Sequence, residues 1–169
     1  MHQTPYVHRM FRDVFTGIDT RQKKAIPINE LHTLLNEDPQ SDKLRRTQAI
    51  ANLLFLFCGM PFVDLAYLEK SNLEGNMLKY NRAKTGIPMN VEILAATIIS
   101  QLRNKHTTVL PEHPDYLFYI LSGKNKRSDE AGYKEYQSAL RCFNNDLKSL
   151  ARKLCIRSSV TSYTLRHSW

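Results

Sequence analysis

The chain has 169 residues, 42% of them hydrophobic, which suits one compact domain with its own apolar core. A formal charge of +8 and a pI of about 9.5 point to a polyanionic partner, with plain solubility as the bland alternative. No apolar run reaches membrane-spanning length and the start lacks a signal-peptide pattern, while Cys58, Cys142 and Cys155 are odd in number, widely spaced and set in apolar or amphipathic runs, so a soluble cytoplasmic protein with reduced core thiols is expected.

Residues 1–24 have little periodicity and carry Arg9, Arg12, Arg21, Lys23 and Lys24, which reads as an arm or linker. A short helix is predicted from Pro27-Ile28-Asn29 to Asn36, with Asn29 as N-cap and Leu31, Leu34 and Leu35 facing inward. After the turn Glu37–Ser41, a second helix runs from Ser41 or Asp42 to about Phe57. It is apolar nearly all round toward its end and therefore central to the core. Gly59-Met60-Pro61 ends it, and Phe62–Leu68 forms a short helix that begins at a proline.

The period then changes to two. Ile87, Met89, Val91 and Ile93 alternate with polar or small residues, Met77–Arg82 supplies a partner strand, and Lys84-Thr85-Gly86 makes the turn, which puts Lys84 at a hairpin tip. Leu94 to Lys105 is predicted as a helix and Thr107–Pro114 as a loop. Tyr116–Leu121 reads as a short buried piece, strand or helix turn, and 123–132 as a polar, basic loop. Tyr133–Leu154 is the longest predicted helix, with Tyr136, Leu140, Phe143, Leu147, Leu150 and Leu154 on one face and Lys134, Arg141, Lys148, Arg152 and Lys153 on the other. Thr161–Trp169 opens as a helix with Ser162 as N-cap and Leu165 and Trp169 on one face; the chain stops in mid-helix, so a fragment is expected.

Leu165-Arg166-His167-Ser168-Trp169, with Tyr163 ahead of it, resembles the H-x-L-R-H-S-[FW] box of tyrosine recombinases, the phage integrase family. Phe57-Cys58-Gly59-Met60-Pro61-Phe62-Val63-Asp64-Leu65 is similar to the family's R-G-x-x-x-x-[DE]-L box, and Arg82-Ala83-Lys84-Thr85-Gly86 lies where these enzymes place a hairpin lysine. The wording is most like integrases of mobile genetic elements. The resemblance implies a mainly α-helical (α+β) catalytic domain with a small β-hairpin or three-stranded sheet, spanning residues 25–169 and cut before the nucleophilic tyrosine. Residues 1–24 would then be linker from a missing N-terminal DNA-binding domain. It also implies double-stranded DNA as partner, a nucleoid-associated location, a homotetrameric parent on DNA, a monomeric fragment, and no metal or other cofactor.

In that chemistry a tyrosine attacks a phosphodiester and charge builds on two non-bridging oxygens. Arginine suits them because its planar, permanently charged fork donates two parallel hydrogen bonds. Fixed donors of this kind are worth about 3–4 kcal/mol each. Arg166 takes the role of the second arginine, Lys84 that of the acid for the leaving oxygen, and Tyr163 stands at the family's histidine position. Cys58 replaces the first arginine and cannot supply its clamp, so DNA binding without cleavage is expected. Arg82, Lys84, Lys148 and Arg152 are the expected DNA contacts. Taken by itself each residue has a plainer role: Lys84 a solvated turn lysine, Tyr163 a core-edge aromatic, Cys58 a small core thiol, Asp64 a structural carboxylate that holds arginines or caps a helix, and His167 a packing residue. Two rival functions remain: a non-cleaving DNA-binding regulator, and a helical protein-interaction module without DNA affinity.

Overall fold

The computed structural model describes residues 25–93 and 113–169; the expected arm 1–24, the helix 94–105, His106 and most of the 107–114 loop lie outside the described residues. Helix α1 (Ile28–Asn36) packs Leu31 and Leu34 inward, with Leu35 half-buried against the core. Its N-cap is Pro27 rather than Asn29, and no side chain caps it, because Asn29 already lies inside the first turn. Helix α2 (Asp42–Leu56) crosses α1, and buried Gln48 on α2 donates Nε2–H to the carbonyls of Leu34 and Glu37, satisfying the exposed end of α1. Thr47, Gln48, Ala49, Ile50, Ala51, Leu53 and Leu54 are buried, which makes α2 the central helix. Leu56 faces out and is 44% exposed, so even here one edge meets solvent.

Helix α2 leaves through two consecutive left-handed residues, Cys58 (φ 58°) and Gly59 (φ 65°), with the Gly59 and Met60 N–H groups returning to the Phe55 and Leu54 carbonyls. Helix α3 (Phe62–Ala66) follows, ending two residues earlier than expected, N-capped by the extended Pro61. Its Phe62 stacks on Phe143 at 4.8 Å between centroids.

A three-stranded antiparallel sheet comes next, in the order β1 (Leu73–Glu74), β2 (Met77–Asn81), β3 (Pro88–Glu92). The register pairs Leu78 with Val91 and Tyr80 with Met89, and the buried side of the sheet carries Leu78 and Val91 into the core. The expected alternation holds at Val91 and Ile93, but Ile87 is 54% exposed because it belongs to the turn, where no sheet neighbour covers it. The turn closes through the Gly86 N–H on the Arg82 carbonyl and the Arg82 N–H on the Ile87 carbonyl.

Tyr116–Leu121 is neither strand nor helix. Apart from one bridge between Glu69 and Tyr116 it is irregular, yet Leu117, Phe118 and Leu121 are buried. Its backbone is held by the Leu117 N–H on the Leu68 carbonyl and by Arg46, which donates to the Tyr119 carbonyl. Helix α4 (Glu130–Lys153) is 24 residues long and begins one turn earlier than the sequence periodicity predicts. It buries Phe143, Leu147, Leu150 and Ala151 against α2, while Tyr136, Leu140 and Leu154 are only partly covered; Lys43 and Asp146 bridge the two helices at 2.7 Å. Helix α5 (Ser162–His167) packs back on α2 through fully buried Leu165.

The cysteines correct the expectation of core thiols: Cys58, Cys142 and Cys155 are all free and exposed. Cys58 and Cys155 (φ 57°) are each left-handed residues just past a helix C-terminus, a place that turns the side chain outward however apolar the preceding helix is. No helix among the described residues is long and apolar enough to cross a membrane.

Candidate functional site

A cavity of about 470 Å³ lies between α3, the β2–β3 turn and α5, lined by Pro61, Val63, Asp64, Arg82, Lys84, Thr85, Tyr163, Arg166 and His167. Three segments far apart in sequence thus contribute Arg82 and Lys84, Arg166, and the carboxylate of Asp64. Of the expected site residues, Arg82, Lys84, Tyr163 and Arg166 are brought together here. Cys58, Lys148 and Arg152 do not line the cavity; the latter two are exposed on the outer face of α4.

The hairpin tip is tied to α3 by one long-range bond, the Ala83 N–H donating to Asp64 Oδ1 at 2.9 Å. Ala83 is the residue between Arg82 and Lys84, so this bond sets where both cations stand. Asp64 is 4% exposed, and its Oδ2 has no hydrogen-bond partner among the described residues. Burial pushes its carboxyl upward; the Ala83 bond and the positive charges of Arg127, Arg82 and Arg166 pull the other way without cancelling it. Tyr80 on β2 is half-buried, and burial together with the Asp64 charge raises its phenol.

Arg166 is placed by the ends of α5. Thr161, not Ser162, is the N-cap: its Oγ1 accepts the Thr164 N–H at 3.1 Å, and Thr164 Oγ1 accepts the Thr161 N–H at 2.8 Å. Asn144 on α4 accepts the Ser162 N–H at 2.9 Å. At the other end Ser168 donates to the Thr164 carbonyl and accepts the Ile26 N–H, both at 2.8 Å. Gly59 lies close against α5. A Cβ there would lie 3.1 Å from the Arg166 carbonyl oxygen, 3.3 Å from Trp169 Cβ and 3.5 Å from Arg166 Cγ.

Tyr163 is 59% exposed, so it is not a core-edge aromatic; its ring meets that of His167 edge-on at 4.2 Å. Trp169, expected to share the buried face of Leu165, is instead 64% exposed. His167 does pack, as expected, but it also lines the cavity, and its Nε2 is buried with no partner among the described residues. Sequence alone gives Asp64 and His167 structural roles, whereas both line the cavity. The signal for Asp64 was present: it is the lone charge in the apolar helix Phe62–Ala66.

Chemically, the cavity offers two guanidinium groups, an ammonium, a phenol and an imidazole around a space large enough for one phosphate-sized anion, with one buried carboxylate among them. No family model, curated protein or solved structure matches the chain.

Proposed function

We propose that this chain is a tyrosine-recombinase-type catalytic domain that grips the phosphodiester backbone of double-stranded DNA in the cavity between α3, the hairpin tip and α5. The observation that carries the reading is the convergence of Arg82 and Lys84 with Tyr163 and Arg166, residues some 80 positions apart, on one cavity. Arg166 and Arg82 hold non-bridging oxygens through charged N–H donors, Tyr163 adds a neutral donor, and exposed Lys84 reaches a bridging oxygen from the mobile end of a long side chain. The activity that a domain of this type serves is strand cleavage and rejoining through a phosphotyrosine, within a tetramer on two duplexes. In this chain Cys58 stands outside the cavity and brings no positive charge, which favours occupancy of DNA without cutting it.

The test is a titration of duplex DNA binding against salt. Binding through several phosphates falls steeply, with a slope of about −0.9 per phosphate neutralised on a log–log plot. A flat response from low to high salt rejects the reading and leaves the protein-interaction module.

A further inference from the structure

The segment that leads into α4 carries Lys124, Lys126 and Arg127, exposed cations that do not line the cavity. The acids around them are committed elsewhere. Glu135 accepts the Ser122 N–H at 2.6 Å and the Asn125 side-chain N–H at 3.0 Å, while Asp129 accepts the Lys126 N–H at 3.3 Å and the Ser128 hydroxyl at 3.2 Å. Lys126 and Arg127 form no salt bridge among the described residues. The Lys126 carbonyl accepts the Asp129 N–H and lies flat against Gly132, where any Cβ would collide with it. A loop pinned at this many points, with its carboxylates occupied, leaves its cations to an anion from outside the chain.

Arg127 is also aimed. Its guanidinium lies over the ring of Tyr67, 5.3 Å from the centroid. That ring is fixed in turn: its hydroxyl donates to the Gly132 carbonyl at 3.1 Å, Tyr116 meets it edge-on at 6.2 Å, and the Tyr136 ring lies 6.2 Å away. A guanidinium held over a ring engages it through the flat face and keeps the N–H groups around its edge for donation. Tyr67 closes α3 three residues after Asp64, and positions so spaced on a helix stand about 5–6 Å apart. The Arg127 charge is felt at the Asp64 carboxyl together with those of Arg82 and Arg166. Arg127 thus borders the cavity beyond its Asp64 wall.

We propose, resting on the reading above, that Arg127 is a second phosphate clamp, whose paired N–H donors take the DNA phosphate next to the one held in the cavity. Charges of one strand succeed one another about every 3.4 Å along the duplex axis, so a neighbouring phosphate falls within this offset. The strand then runs from α5 past the hairpin tip to the loop before α4. Such a contact carries no sequence information, but it fixes how the backbone lies across Arg166.

The test is the salt dependence of duplex affinity for Arg127→Ala beside the unaltered chain, read by fluorescence anisotropy with a short duplex of mixed sequence. Loss of one neutralised phosphate should make the log–log slope shallower by about 0.9, and affinity should fall about tenfold at low salt. Arg127→Lys keeps the charge without the fork, so it should restore the slope and still bind more weakly than the unaltered chain. An arginine that serves only the folded loop would lower thermal stability and leave the slope alone. An unchanged slope in folded Arg127→Ala overturns the inference, and a lysine variant as tight as the unaltered chain overturns the paired donation. Should Arg127→Ala fail to fold, Arg127→Gln, which keeps an aliphatic stem over Tyr67, reads the same slope. A chain whose duplex binding does not respond to salt at all rejects the underlying reading instead.

Discussion

Two regions of this molecule carry positive charge, and they are built in opposite ways. On the outer face of α4, Lys134, Arg141, Lys148, Arg152 and Lys153 are exposed side chains of one helix, placed by its period, with Lys134 also paired to Glu130 one turn before it. In the cavity, Arg82, Lys84 and Arg166 come from separate elements and face a buried carboxylate. The convex face keeps its ions hydrated and screened within a Debye length of about 8 Å at physiological salt. The concave site sets them among low-dielectric walls, where each donor counts for more. Net charge alone does not distinguish the two; convergence does.

The comparison is sharpened most by Arg166→Ala. Loss of a charged hydrogen-bond donor costs about 1.5–3 kcal/mol, so duplex affinity should fall roughly ten- to hundredfold in a fluorescence anisotropy titration. Thermal unfolding should move little. If affinity stays within twofold, the cavity is no better than the open helix face.

Gly59→Ala should act on both stability and binding. A left-handed alanine costs about 1 kcal/mol, and a contact at 3.1 Å with the Arg166 carbonyl adds to it. Denaturant unfolding should show a loss of about 1–2 kcal/mol. Binding should weaken as well, because the same contact seats Arg166. Lost stability with intact binding would detach Gly59 from the site.

Thr161→Ala removes the N-cap bond, one half of the reciprocal pair with Thr164, and should cost about 1 kcal/mol of stability in the same unfolding assay. Its effect on DNA binding should be smaller than that of Gly59→Ala, since Asn144 and Leu165 still hold α5.

The smallest effect is expected from Lys148→Ala with Arg152→Ala on α4. Exposed charges of this kind are worth about 0–1 kcal/mol. Affinity should drop about threefold or less, with a slightly shallower salt slope. A loss as large as that from Arg166→Ala would reverse the order of the two regions and make the helix face the principal contact.

The hairpin with Lys84 at its turn, the central α2 and the amphipathic α4 were legible because each rests on a period that the sequence carries openly. The chain did not announce what depends on backbone angles at junctions. Asn29 and Ser162 have the right chemistry for caps, but the extended residues at the junctions are Pro27 and Thr161. Apolar neighbours suggested that Cys58 was buried, whereas its left-handed backbone turns it outward. Tyr116–Leu121 is buried without regular structure, so no period marks it. In the candidate site the cations were legible from their motifs. The bond from Ala83 to Asp64 spans 19 residues and joins a turn to a helix, so only the folded chain reveals it.

The bond from the Ile26 N–H to Ser168 has a mechanical corollary. Ile26 leads into α1 and Ser168 lies two positions beyond Arg166, so the entry to α1 is moored to the helix that carries one of the cavity's two guanidinium groups. A displacement at that entry is felt at the end of α5 through the Ser168 hydroxyl, alongside the burial of Ile26 in the core.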